Sequence, residues 1–467
     1  MGPRGRAATA TSRTAWWCCG RRHAAAGDRR HHHYVRRDIH ALTTTTLAGV
    51  AVPTEINGGL TSRSVADMRR VPTAQPLFGI WLWQGCRRAI TPADDAINPK
   101  QKAIMREFLC RRCGQRLSFE NSLCLNCQSP LGLSLRDRAI VVLDDSEQID
   151  IDGRTMRRCA NSSTAQCNWL VDVDDLGELC ESCRLTRTRP SDSDPEAMEA
   201  FGQAEAAKRR VVFELSELGL PLVGRSDDPA TGLAFDLLSS ATQSVITGHD
   251  NGLITLDLAE GDDVHREQMR VELAEPYRTL LGHFRHEIGH YYQLVLITDD
   301  KRPDFERLFG NPDDDYQAAL DRHYSQGAPA GWQDEFVSSY ATMHPAEDFA
   351  ETFAHYLHIR DTLDTAAAFA MAPANTSLAG NELDGDVGFD HIVDRWLPLT
   401  WALNQINRSM GHPDLYPFVL AEPVLRKIRY VHTLIAPGNI PATDSPRGQA
   451  RHKVTGRLRG AMTRRGR

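Results

Sequence analysis

The sequence predicts an α+β protein in which a small cysteine-rich module precedes a larger mixed domain. Three observations carry that prediction. Eight of the eleven cysteines fall between positions 110 and 183, in two sets of four. Short apolar runs such as Ala139 to Leu143 lie among them, as strands between cysteine knuckles require. Beyond position 195, apolar residues recur mainly at helical spacing, with one alternating run over 252–259. At 467 residues the chain also exceeds one ordinary core, since domains usually run about 100 to 200 residues.

Composition narrows the class. The 41% hydrophobic and 25% charged fractions are ordinary for a globular chain and exclude wholesale disorder. No apolar run approaches the length of about 18 residues that a membrane span needs, so no membrane partner is expected. Charge is unevenly spread: 16 basic against 6 acidic residues over 1–104, and 8 against none over 447–467. The middle is left with 30 basic against 55 acidic residues, which argues against nucleic acid as a partner.

The elements follow in order. Residues 1–104 carry arginine pairs, a threonine run and a histidine run with little apolar period, and read as a disordered or misassigned extension. Organised sequence begins at Met105, the expected native start. Residues 105–190 form the cysteine module, and the proline- and serine-rich stretch at 190–195 reads as a linker. The domain over 191–440 begins with a helix at 196–218. The alternating strand at 252–259 is a candidate sheet edge for pairing with extended substrate, an internal strand being the alternative. A helix over 267–296, interrupted near Pro276, comes next. Another spans 346–362, with Pro345 where helix N-termini tolerate proline. Residues 389–410 and 420–435 read as helices, and 441–467 as a basic flexible tail.

Cys110, Cys113, Cys124 and Cys127 make two Cys-x-x-Cys knuckles ten residues apart. Each knuckle turns two thiolates toward one ion, and two knuckles complete a tetrahedral structural zinc site. Cys159, Cys167, Cys180 and Cys183 form a second candidate set, although the seven-residue gap in its first half departs from that spacing. Thiolate sites in a large chain imply a reducing compartment, and therefore the cytoplasm.

The chemistry centres on His286-Glu-Ile-Gly-His290. On a helix the two histidines lie one turn apart on one face and can hold one zinc, with Glu287 between them as general base. Composition alone supplies roughly 0.03 such matches per chain, and two ordinary surface histidines on a helix stay the alternative until a third ligand is found. A catalytic zinc needs a third protein ligand and an open position. Glu347 and Glu351 are candidates, again one turn apart. Spacing alone does not choose between them, and paired glutamates also mark ordinary solvated helix faces. His283 is a lesser alternative ligand, and His355 shares the face of Glu351.

Combined with Tyr340, Glu347, Glu351 and Phe353, the histidine motif resembles the catalytic domain of anthrax lethal factor. It is more similar still to bacterial zinc metallopeptidases with zinc-binding cysteines at their N-terminus. Cys167-Asn-Trp-Leu, the run from Tyr277 to Glu287, Asn407-Arg-Ser-Met-Gly and Asp414-Leu-Tyr-Pro-Phe belong to that second resemblance. It covers residues 105–437 and implies a zincin-like fold behind a zinc ribbon. By the same resemblance His286, His290 and Glu347 ligate the catalytic zinc, Glu287 is the base, Glu351 orients a ligating histidine, and Tyr340 donates to the transition-state oxyanion. One catalytic and one or two structural zincs are expected, with a peptide or protein as substrate. The alternatives are an inactive adaptor that uses its zinc ribbon to bind protein or nucleic acid, and a zinc hydrolase of a non-peptide amide.

Overall fold

Short antiparallel pairs dominate residues 108–172. In this computed structural model the described residues are 108–174, 177–241, 244–272, 275–371, 385–436 and 439–440. The expectations for residues 1–104, for Met105 as the start and for the tail at 441–467 lie outside them. Strands β1 (Phe108–Leu109) and β2 (Arg116–Leu117) flank the first knuckle, and β3 (Leu131–Ser134) pairs with β4 (Ala139–Val142). A three-stranded sheet of β5 (Gln148–Ile151), β6 (Arg154–Arg158) and β7 (Leu170–Asp172) follows. Strand β8 (Thr186–Thr188) leaves this region and joins a second sheet, in the order β10-β11-β9-β8.

In that sheet β9 (Ala234–Leu238) lies parallel to both β8 and β11 (Leu253–Asp257), while β10 (Gly248–Asp250) runs antiparallel to β11. The strand expected over 252–259 is thus β11, and it is internal. The edge beside it is β10, three residues too short to show an alternation in the sequence.

Helix α1 (Pro195–Glu217) starts where Asp194 caps the backbone N–H of Ala197 at 3.0 Å. Its apolar face docks onto the cysteine region: Phe213 meets Phe119 edge-on with ring centroids 5.2 Å apart, and Arg209 donates to the carbonyl of Ala165 at 3.1 Å. One continuous core therefore runs from the strands through α1 to the later helices. The expected helix over 267–296 is two helices, α2 (Asp263–Glu272) and α3 (Leu280–Leu296). Pro276 lies between them, and Thr279 caps α3 through the N–H of Gly282. Helices α4 (Arg302–Phe309) and α5 (Tyr316–Gln326) precede α6 (Pro345–Ala368), and α7 (Gly385–Ser409) and α8 (Glu422–Ile435) close the domain. No helix among the described residues is long and apolar enough to cross a membrane.

Helices α3 and α6 pack face to face at their closest approach. A β-carbon on Gly289 would sit 2.9 Å from the Cα of Ala350, so the glycine lets the two backbones meet. Arg285 anchors the same pair from beneath: it donates to Glu214 on α1 at 2.9 Å, and to Asp361 at 2.6 Å and His358 Nδ1 at 2.7 Å on α6. These buried contacts fix the rotation of α3, and with it the direction of its histidines.

Candidate metal centres and active site

His286 and His290 leave α3 one turn apart and face α6. Glu347 Oε2 lies 3.0 Å from His286 Nε2 and 3.3 Å from His290 Nε2, and the three ligand atoms fall within 4.8 Å of one another. A tetrahedral zinc with bonds of 2.0–2.1 Å separates its ligands by about 3.3 Å. The donor set therefore fits zinc in both chemistry and spacing.

The surrounding groups orient this set. His286 Nδ1 donates to Glu351 Oε1 at 2.7 Å, which leaves Nε2 toward Glu347 and the metal position. Burial pushes the Glu351 carboxyl up, but the hydrogen bond and charge of His286, with smaller help from His355 and Ser338, together outweigh it and hold the group at about 2. Tyr316 on α5 donates to Glu347 Oε1 at 2.9 Å, occupying the oxygen turned away from the histidines. His249, on the edge strand β10, stacks on His290 with ring centroids 5.9 Å apart and accepts from the N–H of Gly252. Tyr316 and His249 have no signal in the sequence near the histidine motif, since α5 and β10 reach the site only through tertiary packing.

Glu287 lines a cavity of about 150 Å³ together with His286, Glu351 and Tyr340. Its Oε2 is buried with no hydrogen-bond partner among the described residues. Burial raises its carboxyl above the ordinary value, opposed by the nearby His286 and His290. The Tyr340 phenol is likewise raised, first by burial and then by the charge of Glu347, and its ring centroid lies 6.0 Å from that of His286. His283 stands apart from the metal group, its Nδ1 3.6 Å from Glu260. His355 is engaged through Nδ1 by Tyr416 at 2.7 Å.

Both cysteine sets converge. The sulfurs of Cys110 and Cys127 are 3.7 Å apart and those of Cys113 and Cys124 3.6 Å, near the ~3.8 Å that tetrahedral Zn–S bonds of 2.3 Å require. In the second set Cys159, Cys167, Cys180 and Cys183 are all buried, with Cys167 and Cys180 3.6 Å apart. The longer gap between Cys159 and Cys167 is taken up by a 3-10 turn over Ala160–Ser162, after which the chain returns to the cluster.

A family model described as "Putative zinc-binding metallo-peptidase" matches residues 197–434, and a zinc-ribbon domain model matches residues 107–194. An uncharacterised protein of Mycobacterium bovis is 60% identical over 333 residues, which cover 71% of this chain and 95% of the relative. Two uncharacterised proteins from strains of Mycobacterium tuberculosis match at the same identity and coverage. No solved structure matches the chain.

Proposed function

The chain belongs to the family of zinc-binding metallopeptidases, behind a zinc-ribbon domain, and from that premise we propose that it hydrolyses peptide bonds at the site of His286, His290 and Glu347. The observation that carries this reading is Glu287: a buried carboxylate oxygen without a hydrogen-bond partner among the described residues, set beside a donor group of zinc spacing. Zinc held there supplies a Lewis acid for the scissile carbonyl and brings a water within reach of deprotonation near neutral pH.

The chain's own groups do the rest. Glu287 takes the proton of the attacking water and returns it to the departing amine. Its raised carboxyl makes it a better base and still allows it to give the proton back. Tyr340, kept protonated by burial, donates its phenol to the oxyanion, a contribution of about 3 kcal/mol for such a donor. Glu351 holds the His286 ring so that Nε2 faces the metal position, and Tyr316 fixes Glu347. An extended peptide or protein substrate would pair with β10, the edge strand of this sheet among the described residues. The two cysteine sets hold one structural zinc each, giving three ions in the loaded protein, and their thiolates suit a reducing compartment such as the cytoplasm.

A digest of a peptide library with zinc-loaded, chelator-stripped and zinc-restored protein tests the reading. Cleavage that disappears with the chelator and returns with zinc is expected. A library left uncut at full zinc occupancy would favour an inert adaptor or an amidase of non-peptide substrates.

A further inference from the structure

The cavity beside Glu287 has chemistry that the hydrolytic step does not use. Its volume of about 150 Å³ is that of a cavity able to enclose a benzene-sized group, so one large side chain fits. Tyr277 and Phe418 form an apolar wall, with ring centroids 6.0 Å apart. His358 lies behind them, its ring edge-on to Tyr277 at 5.3 Å.

The protonation of His358 follows from geometry. Arg285 NH1 lies 2.7 Å from His358 Nδ1, and a guanidinium can only donate. Nδ1 is therefore an acceptor, the ring is neutral, and the proton sits on Nε2. Among the described residues no group accepts from Nε2. Gly282 keeps its surroundings open: a β-carbon there would lie 3.4 Å from Tyr277, 3.7 Å from His358 Nε2 and 3.0 Å from Thr279 Oγ1. Gly282 does not have a positive φ, so its backbone conformation does not call for glycine. Leaving that space open is the physical consequence of the missing side chain.

Resting on the peptidase reading, we propose that this cavity binds a substrate side chain next to the scissile bond. It selects large uncharged side chains with a hydrogen-bond acceptor at the tip, tyrosine and glutamine above all, and His358 Nε2–H is the selecting donor. Lysine and arginine tips bring only donors, which the fixed Nε2–H cannot satisfy, and the lining carboxylates of Glu275 and Glu351 are already engaged by Arg278 and His286. Aspartate and glutamate would enter beside the carboxylates of Glu287 and Glu351. Arg278 does not compensate for them, because Glu260 and Glu275 already hold it at 2.6 and 3.0 Å.

The test is a cleavage profile of the zinc-loaded full chain on a proteome-derived peptide library, alongside His358→Phe and Gly282→Ala. Wild type should enrich tyrosine and glutamine at one position flanking the cut. His358→Phe keeps a ring and removes the donor, while Arg285, losing one acceptor, stays held by Glu214 and Asp361; the preference for glutamine over leucine there should fall about tenfold, with the other positions unchanged. Gly282→Ala, in the first turn of a helix, should keep the fold and shift the same position toward smaller side chains. Enrichment of lysine, arginine or carboxylates there overturns the proposal, as does a profile that neither variant changes. Cleavage with a flat profile overturns the pocket alone, whereas no cleavage at full zinc occupancy overturns the peptidase reading together with it.

Discussion

At the residue scale, two glutamates one turn apart on α6 have different partners. Glu347 meets both histidines through one oxygen, while Glu351 meets only the far nitrogen of His286. Glu347→Ala should therefore abolish the catalytic zinc, while Glu351→Ala should retain it with affinity or activity lowered about 10- to 100-fold. Total zinc should fall by one ion in the first variant, since the cysteine sets are untouched. Chelator titration with the cysteine-bound metal counted separately measures this, and outright loss in Glu351→Ala would reverse the two roles. Helical spacing could bring these carboxylates to one face, but it could not rank them. The ranking depends on how α6 rotates against α3, which Arg285 and Gly289 set through contacts distant in sequence.

At the scale of elements, the junction of α3 and α6 positions the whole donor set. Gly289→Ala places a β-carbon against the Ala350 backbone, which no side-chain movement can relieve. Overpacking of this kind costs about 1–3 kcal/mol. A lower melting temperature and weaker catalytic zinc binding should appear together, and an unchanged melting temperature would show that the helices separate freely. Helix α1 joins the second cysteine set to the same unit: Arg209 donates to the carbonyls of Ala165 and Gln166, and Cys183 Sγ lies 3.7 Å from Glu205 Oε2. Cys180→Ser should thus remove one zinc and also destabilise the peptidase region, which proteolysis of the region after position 195 would report. The long amphipathic helices were legible because their apolar period extends over many turns. Strand β10 and helices α4 and α5 were not: β10 is too short for a period to register, and α4 and α5 span 8 and 11 residues.

For the whole molecule, the site is lined by histidines buried in neutral form. Burial depresses His283 and His355 to about 4 and His249 to about 3, against an ordinary value of 6.5. Unfolded chains bind these protons more readily, so the stabilisation is complete above pH 6.5 and drains away as pH falls toward 4 and 3. Each unit of depression corresponds to about 1.4 kcal/mol per group. Melting temperature should accordingly fall through that window, and a flat profile from pH 7 to 4 would contradict the buried neutral state. The two-part organisation was legible in cysteine spacing and in the histidine motif. That the parts share one core was not, because Phe119 and Phe213 are separated by most of the cysteine region in sequence. The central claim, that Glu287 is the base of a zinc peptidase, is tested most directly by Glu287→Gln with metal content and peptide cleavage measured on one preparation. The variant should carry as much zinc as wild type and cleave nothing; equal zinc with cleavage at the wild-type rate would contradict the account.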